Sequence, residues 1–234
     1  MIVIVPALNE QETVAAVIAD IRRDLGADVL VVDDGSSDRT AAVARGAGAS
    51  VVRHPFNLGV GAALRTGFRY AEARGYSIAM QIDADGQHDP LEAAKLLDAV
   101  RSGTDIVVGS RFAVGSGTYR VTFGRRTSMK LLSTVLSRRI GRPITDTTSG
   151  YRAFSRAAIE LFATQYPSAY LSDTVESLLI AHYNGLAIHE VPVSMHERMG
   201  GVPSNNFVRS AYHLVRLVLV IMLSRSRRPL SKGH

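Results

Sequence analysis

Asp83, Asp85 and Gln87 alternate along Asp83-Ala84-Asp85-Gly86-Gln87, directly after an apolar run that ends at Ile82. Hard oxygen ligands with coordination positions left open suit Mg2+ or Mn2+, which keep waters and bind substrate phosphates beside carboxylates. Asp33 and Asp34 follow a second apolar run, residues 29–32, and could accept hydrogen bonds from a base and a ribose. Their rival role is helix capping, which Ser36 and Asp38 can already supply. Pro6-Ala7-Leu8-Asn9-Glu10 follows a third run, residues 2–5. Acids repel one another, so a set delivered to one edge needs a cation or a hydrogen-bonding ligand to compensate. Gly59-Val60-Gly61 is half of a dinucleotide fingerprint, but the third glycine is missing and a loop precedes it, which argues against a Rossmann dinucleotide site.

Such residues converge only if particular elements carry them. Residues 2–5, 29–32, 50–52, 76–82 and 105–108 read as buried strands, being short runs with β-branched residues. Asn9 is the expected N-cap of a helix in which Val14, Val17, Ile18, Ile21 and Leu25 recur at helical spacing, with Glu12 completing a capping box. Ser36 or Ser37 is expected to cap a helix over 41–47, Gly59 to open one over 59–73, and Pro90 to stand in the first turn of one reaching about residue 100. Strands alternating with helices predict right-handed crossovers and a mostly parallel α/β sheet flanked by helices, whose ligands sit beyond the carboxyl ends of the strands. Past residue 112 the alternation loosens into helices over 125–140, 155–162 and 172–183 and a strand over 186–193.

The 234 residues are 46% hydrophobic and 21% charged, which permits a substantial core and excludes wholesale disorder. With no cysteine, disulfide scaffolds, thiolate zinc sites and cysteine nucleophiles are excluded. The opening MIVIVPALNE has no charged leader region and no long apolar stretch follows, so a cytoplasmic protein, peripheral at most on the inner membrane face, is expected. The net charge of +6 is uneven: residues 1–100 sum to −5, 101–156 to +9, and 197–234 to +6. Twenty-four of the 27 bases are arginine, which grips phosphate oxygens in pairs. The bases are not interleaved with aromatics, so a small anion or an acidic membrane surface fits better than nucleic acid.

Taken in order, PALNE, VVDDGSSDRT, NLGVGAALRTGF, DADGQHDP, VGSRF and DTTSGYRAF resemble the motif set of family-2 glycosyltransferases, in particular the dolichyl- and polyprenyl-phosphate mannosyl- and glucosyltransferase branch. The resemblance covers roughly residues 1–195. It implies a GT-A fold over about residues 1–200, a GDP- or UDP-sugar donor, a divalent cation, and transfer with inversion. Carried over by motif, Pro6, Leu8, Asn9, Glu10, Asp33, Asp34 and Ser36 form the nucleotide pocket. Asp83, Ala84 and Asp85 meet the donor, with Asp83, Asp85 and Gln87 holding the cation on its diphosphate. Arg111 and Arg125 face the acceptor phosphate, and Asp146 lies close to the reacting sugar. Many relatives have lysine where this chain has Val60; Arg65, one turn on, could supply that basic contact.

The acceptor divides along pKa. A sugar hydroxyl needs a general base, for which Asp173, Asp146 and Glu176 are candidates. A lipid monophosphate is already an anion near neutral pH and needs positive charge instead. Arg111, Arg120, Arg125, Arg126, Arg138, Arg139, Arg142 and Arg152 offer that charge, which favours a lipid-phosphate acceptor over a glycan or small-molecule hydroxyl. A non-catalytic sugar-nucleotide-binding subunit is the alternative outside enzymes, and it has no need of a cation at the leaving group. Residues 201–234 read as an amphipathic helix over 206–223 and a basic tail, suited to an anionic membrane surface or to a second copy in a homodimer. The histidines are read as structural: His54 precedes a proline, His88 adjoins a candidate ligand, and His182, His189 and His196 lack zinc-site spacing.

Overall fold

The computed structural model describes residues 1–113, 123–167 and 173–195, with 123–129 and 131 described by backbone alone. Strands β1 (Ile2–Ala7) and β2 (Asp28–Asp33) are apolar on both faces because helices cover both. Ile2, Ile4, Leu30 and Val32 enter one core, and Val3, Val5, Val29 and Val31 the other. With β3 (Ser50–Arg53), β4 (Ile78–Gln81), β5 (Ile106–Ser110), β6 (Arg152–Ser155) and β7 (Ile188–Pro192) they form one sheet of order β3-β2-β1-β4-β6-β5-β7. β6 runs antiparallel to both neighbours, and every other pair is parallel.

Helices α1 (Val14–Leu25), α2 (Thr40–Gly46) and α4 (Ala93–Arg101) cover one face. Helices α3 (Val60–Ala73), α5 (Phe123–Ile140), α6 (Arg156–Gln165) and α7 (Asp173–Tyr183) cover the other. α3 lies directly on β1: a Cβ at Gly67 would sit 2.4 Å from Ile4 Cγ2, so only glycine allows that approach. Beside it the Phe68 ring meets Phe154 edge-on at 4.9 Å and Phe162 at 5.3 Å.

Three expectations are corrected. Asn9 does not cap α1, which starts at Val14 after Thr13. Asn9 takes the left-handed conformation, φ 56°, that its side chain tolerates, and accepts from the Ser37 N–H. Neither Ser36 nor Ser37 caps α2, which starts at Thr40; the Ser36 hydroxyl accepts from the Asn9 N–H instead. Finally, Arg152–Ser155 is a central strand that no apolar run announced, because its first residue is an arginine. The helix expected over 206–223, and a boundary near residue 200, lie outside the described residues.

The antiparallel strand shapes the site. The parallel strands leave the sheet at the edge carrying Ala7, Asp33, Gln81 and Ser110. Because β6 runs the other way, the residues before it arrive at that same edge. Arg152 pairs with Gln81 on one side and Val108 on the other. The Asp146–Gly150 segment is thereby set between the loops after β4 and β5.

Candidate active site

At the ends of β1, β2 and β3 the loops are tied to one another. Asp33 Oδ1 accepts from the Ser36 N–H at 2.9 Å, and Arg53 Nε lies 3.2 Å from its buried Oδ2. The Glu10 N–H donates to Thr40 Oγ1, and the Glu10 carboxylate accepts from Thr13 Oγ1. Leu8 is exposed, and Pro6 pairs with Val32, one step before the last pair, Ala7 with Asp33. Asp34 is turned inward. Its Oδ1 meets His54 Nδ1 at 2.7 Å and the Leu58 N–H at 3.0 Å, and its Oδ2 accepts the Gly59 N–H at 2.7 Å. His54 bridges onward to Thr66 Oγ1. Asp34 therefore shapes the turn that opens α3. The pocket expectation for Pro6, Leu8, Asn9, Glu10, Asp33 and Ser36 falls on one connected edge, whereas the carboxylate of Asp34 is engaged beneath it. Arg65 lies half-buried on the same helix, α3.

After β4 the chain makes a closed loop. The Asp83 N–H donates to His88 Nδ1 at 3.1 Å, Asp85 Oδ1 accepts the Gln87 N–H, and Gly86 supplies the positive φ between them. Asp83 keeps 37% of its side chain exposed. Gln81 Nε2 donates to its Oδ1 at 3.2 Å. Gly150 forms the wall behind it, where a Cβ would fall 2.7 Å from Asp83 Oδ2. Among the described residues no three His, Asp or Glu side chains form a closed cation cage. Asp83, Asp85 and Gln87 instead offer a partial set of hard oxygens, with Asp83 cradled by glycine and open to solvent. This fits an ion that takes its remaining ligands from a diphosphate and water.

Toward β5 and β7 a second network forms. Arg111 grips Asp146 bidentately, Nε to Oδ2 at 2.7 Å and Nη2 to Oδ1 at 2.9 Å. Asp146 is fully buried. Glu190 on β7 accepts the Thr145 and Asp146 N–H groups and the Thr145 hydroxyl. The register that sets Val108 of β5 opposite Glu190 places this clamp beneath Arg111. Asp146 thus orients Arg111. Arg125 lies near the start of α5, where the backbone alone is described.

Arg152, expected among the acceptor-facing cations, is instead 1% exposed. It donates to the carbonyls of Ser149 and Thr174 and to Ser177 Oγ, and its Nη2 has no partner among the described residues. Burial pulls its pKa down, opposed by the negative charges of Asp173, Asp146 and Asp83. Burial pushes Asp173, at the start of α7, up to about 6; Asp83 adds to this and Arg152 works against it. Asp173 and Asp83 therefore share one electrostatic environment. Between the ordinary value of 3.8 and about 6 the folded chain binds a proton that the unfolded chain has lost. Stability accordingly falls as pH rises through that window, a cost of about 3 kcal/mol that is fully present at pH 7. Asp173→Asn is expected to melt about 6 °C above the unsubstituted chain at pH 7.5. The gap should close toward pH 4 in the same calorimetric series, and a pH-independent gap refutes the account.

The family model for glycosyl transferase family 2 matches residues 2–162. The chain belongs to that family. This family-2 glycosyltransferase is 35% identical over 210 residues to a polyprenol monophosphomannose synthase of Mycolicibacterium smegmatis, covering 86% of this chain and 79% of the relative. It is 32% identical to an undecaprenyl-phosphate mannosyltransferase of Micrococcus luteus, covering 85% and 84%. Among solved structures it resembles glucosyl-3-phosphoglycerate synthase of Mycobacterium tuberculosis in complex with Mn2+, UDP and glucosyl-3-phosphoglycerate. That likeness has TM-score 0.68 and 26% identity over 98% of this chain and 81% of the other. The same enzyme is also known with Mg2+ and UDP. The mixed sheet of this glycosyltransferase has the GT-A architecture of that neighbour.

Glu190 and Gly150 had no role assigned from the glycosyltransferase's sequence, and His88 is read there as structural. Glu190 lies beyond the matched segment and in a strand whose register only tertiary pairing sets. His88 carried a faint signal, standing inside the same polar segment as Asp83 and Asp85.

Proposed function

We propose that this glycosyltransferase moves a sugar, with inversion, from a nucleoside-diphosphate sugar to a polyprenyl-phosphate-type acceptor, aided by Mg2+ or Mn2+. The observation that carries the reading is the loop after β4, which presents Asp83 to solvent against a glycine wall. Asp83, Asp85 and Gln87 would hold the cation, and when bound the cation supplies Lewis-acid neutralisation of the departing diphosphate. The edge from Leu8 to Ser36 would bind the nucleotide, with buried Asp33 holding the Ser36 N–H and Arg53 in place beneath it. Arg111, held in place by Asp146, and Arg125 orient the acceptor anion, which needs placement more than deprotonation. Relatives named for polyprenol and undecaprenyl phosphate support this acceptor class. Among the described residues no helix is long and apolar enough to cross a membrane. The lipid-phosphate acceptors named for these relatives support a place at the cytoplasmic membrane face, where such a lipid is presented.

A hydroxyl acceptor is the second reading, favoured by the raised Asp173 carboxyl, which suits a general base. Transfer from a panel of UDP- and GDP-sugars to short-chain polyprenyl phosphate and to phosphoglycerate, with Mn2+, tests both. Arg125→Ala is expected to raise the polyprenyl-phosphate KM about tenfold or more while the donor KM stays constant. Asp173→Asn is expected to lower kcat less than about tenfold with the phosphate acceptor. A loss of about 10²–10⁴-fold with phosphoglycerate assigns Asp173 as the base for a hydroxyl.

A further inference from the structure

His88 is buried, at 7% exposure, and lies outside the chemistry assigned above. Its ring stacks on Tyr151, centroids 4.7 Å apart and planes at 13°. Tyr151 is itself locked, donating its hydroxyl to the Asp89 carbonyl at 2.6 Å; burial raises its pKa, so the phenol keeps its proton. The His88 backbone pairs with Met195. Held by Tyr151 on its ring and Met195 on its backbone, His88 aims Nδ1 at the Asp83 N–H, 3.1 Å away. An amide donating to Nδ1 requires the tautomer with its proton on Nε2. Nε2 faces the Asp83 carboxylate at 3.8 Å, beyond hydrogen-bond length.

The backbone shows why this bond is needed. β4 stays paired with β1 through the Ile82 N–H, which donates to the Ile4 carbonyl. At Asp83 the bond goes to the His88 ring instead of a strand. The chain then turns through Asp85, Gly86 and Gln87 and returns to His88, so the bond closes the loop at its base. Without it the Asp83 peptide is free to rotate, and the carboxylate leaves the Gly150 wall.

We propose that His88 is a positioning residue: by accepting the Asp83 N–H it closes the loop and fixes the angle at which Asp83, Asp85 and Gln87 meet a cation bridged to a nucleoside diphosphate. This rests on the reading of those three residues as the cation's ligands. Groups that orient ligands from behind typically contribute 10–100-fold in metal affinity.

The test uses the full chain, titrating Mn2+ in the presence of UDP, and in parallel GDP, by electron paramagnetic resonance. His88→Asn puts an acceptor oxygen where Nδ1 stands, and His88→Gln places its amide one atom too far. Both lose the ring stack, so their difference reads the hydrogen bond alone. H88N is expected to bind within about threefold of the unsubstituted chain, and H88Q about tenfold more weakly. His88→Phe keeps a ring on Tyr151 without an acceptor and should match H88Q; it also serves if H88Q does not fold. Melting curves without Mn2+ establish folding. Equal affinity in H88N and in a folded H88Q or H88F overturns the role of His88. If Asp83→Asn also binds Mn2+ with the nucleotide unchanged, the cation reading itself fails and the proposal falls with it. If only Asp83→Asn loses binding, the failure belongs to His88 alone.

Discussion

Replacing Asp83 with alanine is expected to lower kcat by about 10³-fold while the chain stays folded. The two halves of that result have separate physical sources. The carboxylate is more than a third exposed, and the hydrogen bond shown to it comes from Gln81 Nε2 at the long distance of 3.2 Å. Its removal costs little packing and relieves repulsion with Asp173, whose raised carboxyl should move back toward its ordinary value. The loss in rate arises because the leaving diphosphate gathers negative charge as the sugar bond breaks, and a cation held loosely or off-line no longer neutralises it. Asp85→Ala should act in the same direction, with an added loss of the bond that turns the chain at Gln87. Nucleoside diphosphate release, measured across an Mn2+ titration with chelator controls and a circular-dichroism melt, checks both halves. Turnover within tenfold of the unsubstituted enzyme in a folded Asp83→Ala variant contradicts metal-assisted departure.

Asp146→Ala should show the opposite balance, with a large effect on stability. The carboxylate is fully buried and meets Arg111 through two charge-assisted bonds. Removing it takes the buried counter-charge from a guanidinium whose side chain is only 12% exposed, although the bond to Thr148 Oγ1 stays. Breaking a buried pair from one side typically costs about 3–5 kcal/mol, here about 6–12 °C in Tm. Arg111 should also lose its orientation, so the acceptor KM rises more than the donor KM. Thermal melts and paired KM measurements separate this from direct action on the sugar. An unchanged Tm with a collapsed kcat means that Asp146 touches the reacting sugar and that its grip on Arg111 is incidental.

Much of the frame was legible from residue order. Apolar runs of three to seven residues separated by amphipathic helices admit few arrangements other than a covered, mostly parallel sheet, and the boundaries of β2, β3, α3 and α4 follow the expected ones closely. The segments carrying Asp33 and Asp83 were legible for the same reason: polar residues directly after an apolar strand have nowhere to go but the carboxyl edge. Local capping was misjudged at Asn9 and Ser36 because each had a partner on the other's loop, 27 residues away, that competed with the helix end. Sequence spacing holds no record of such a partner.

Residue types and their order determined the fold class, the family and the edge on which chemistry would occur. Tertiary structure decided what each acid does there. Asp33, Asp34, Asp83, Asp146 and Asp173 look alike as letters. One is capped by Ser36, one shapes a turn with His54, one stands open to solvent, one is locked to Arg111, and one is buried with its carboxyl raised. For Asp83 and Asp146 the difference comes from a single antiparallel strand, β6, wedged between β4 and β5. A carboxylate's role depends on the donors and dielectric around it, and here most are supplied from other loops: His54, 20 positions from Asp34, Arg111, 35 from Asp146, and the Gly150 wall behind Asp83.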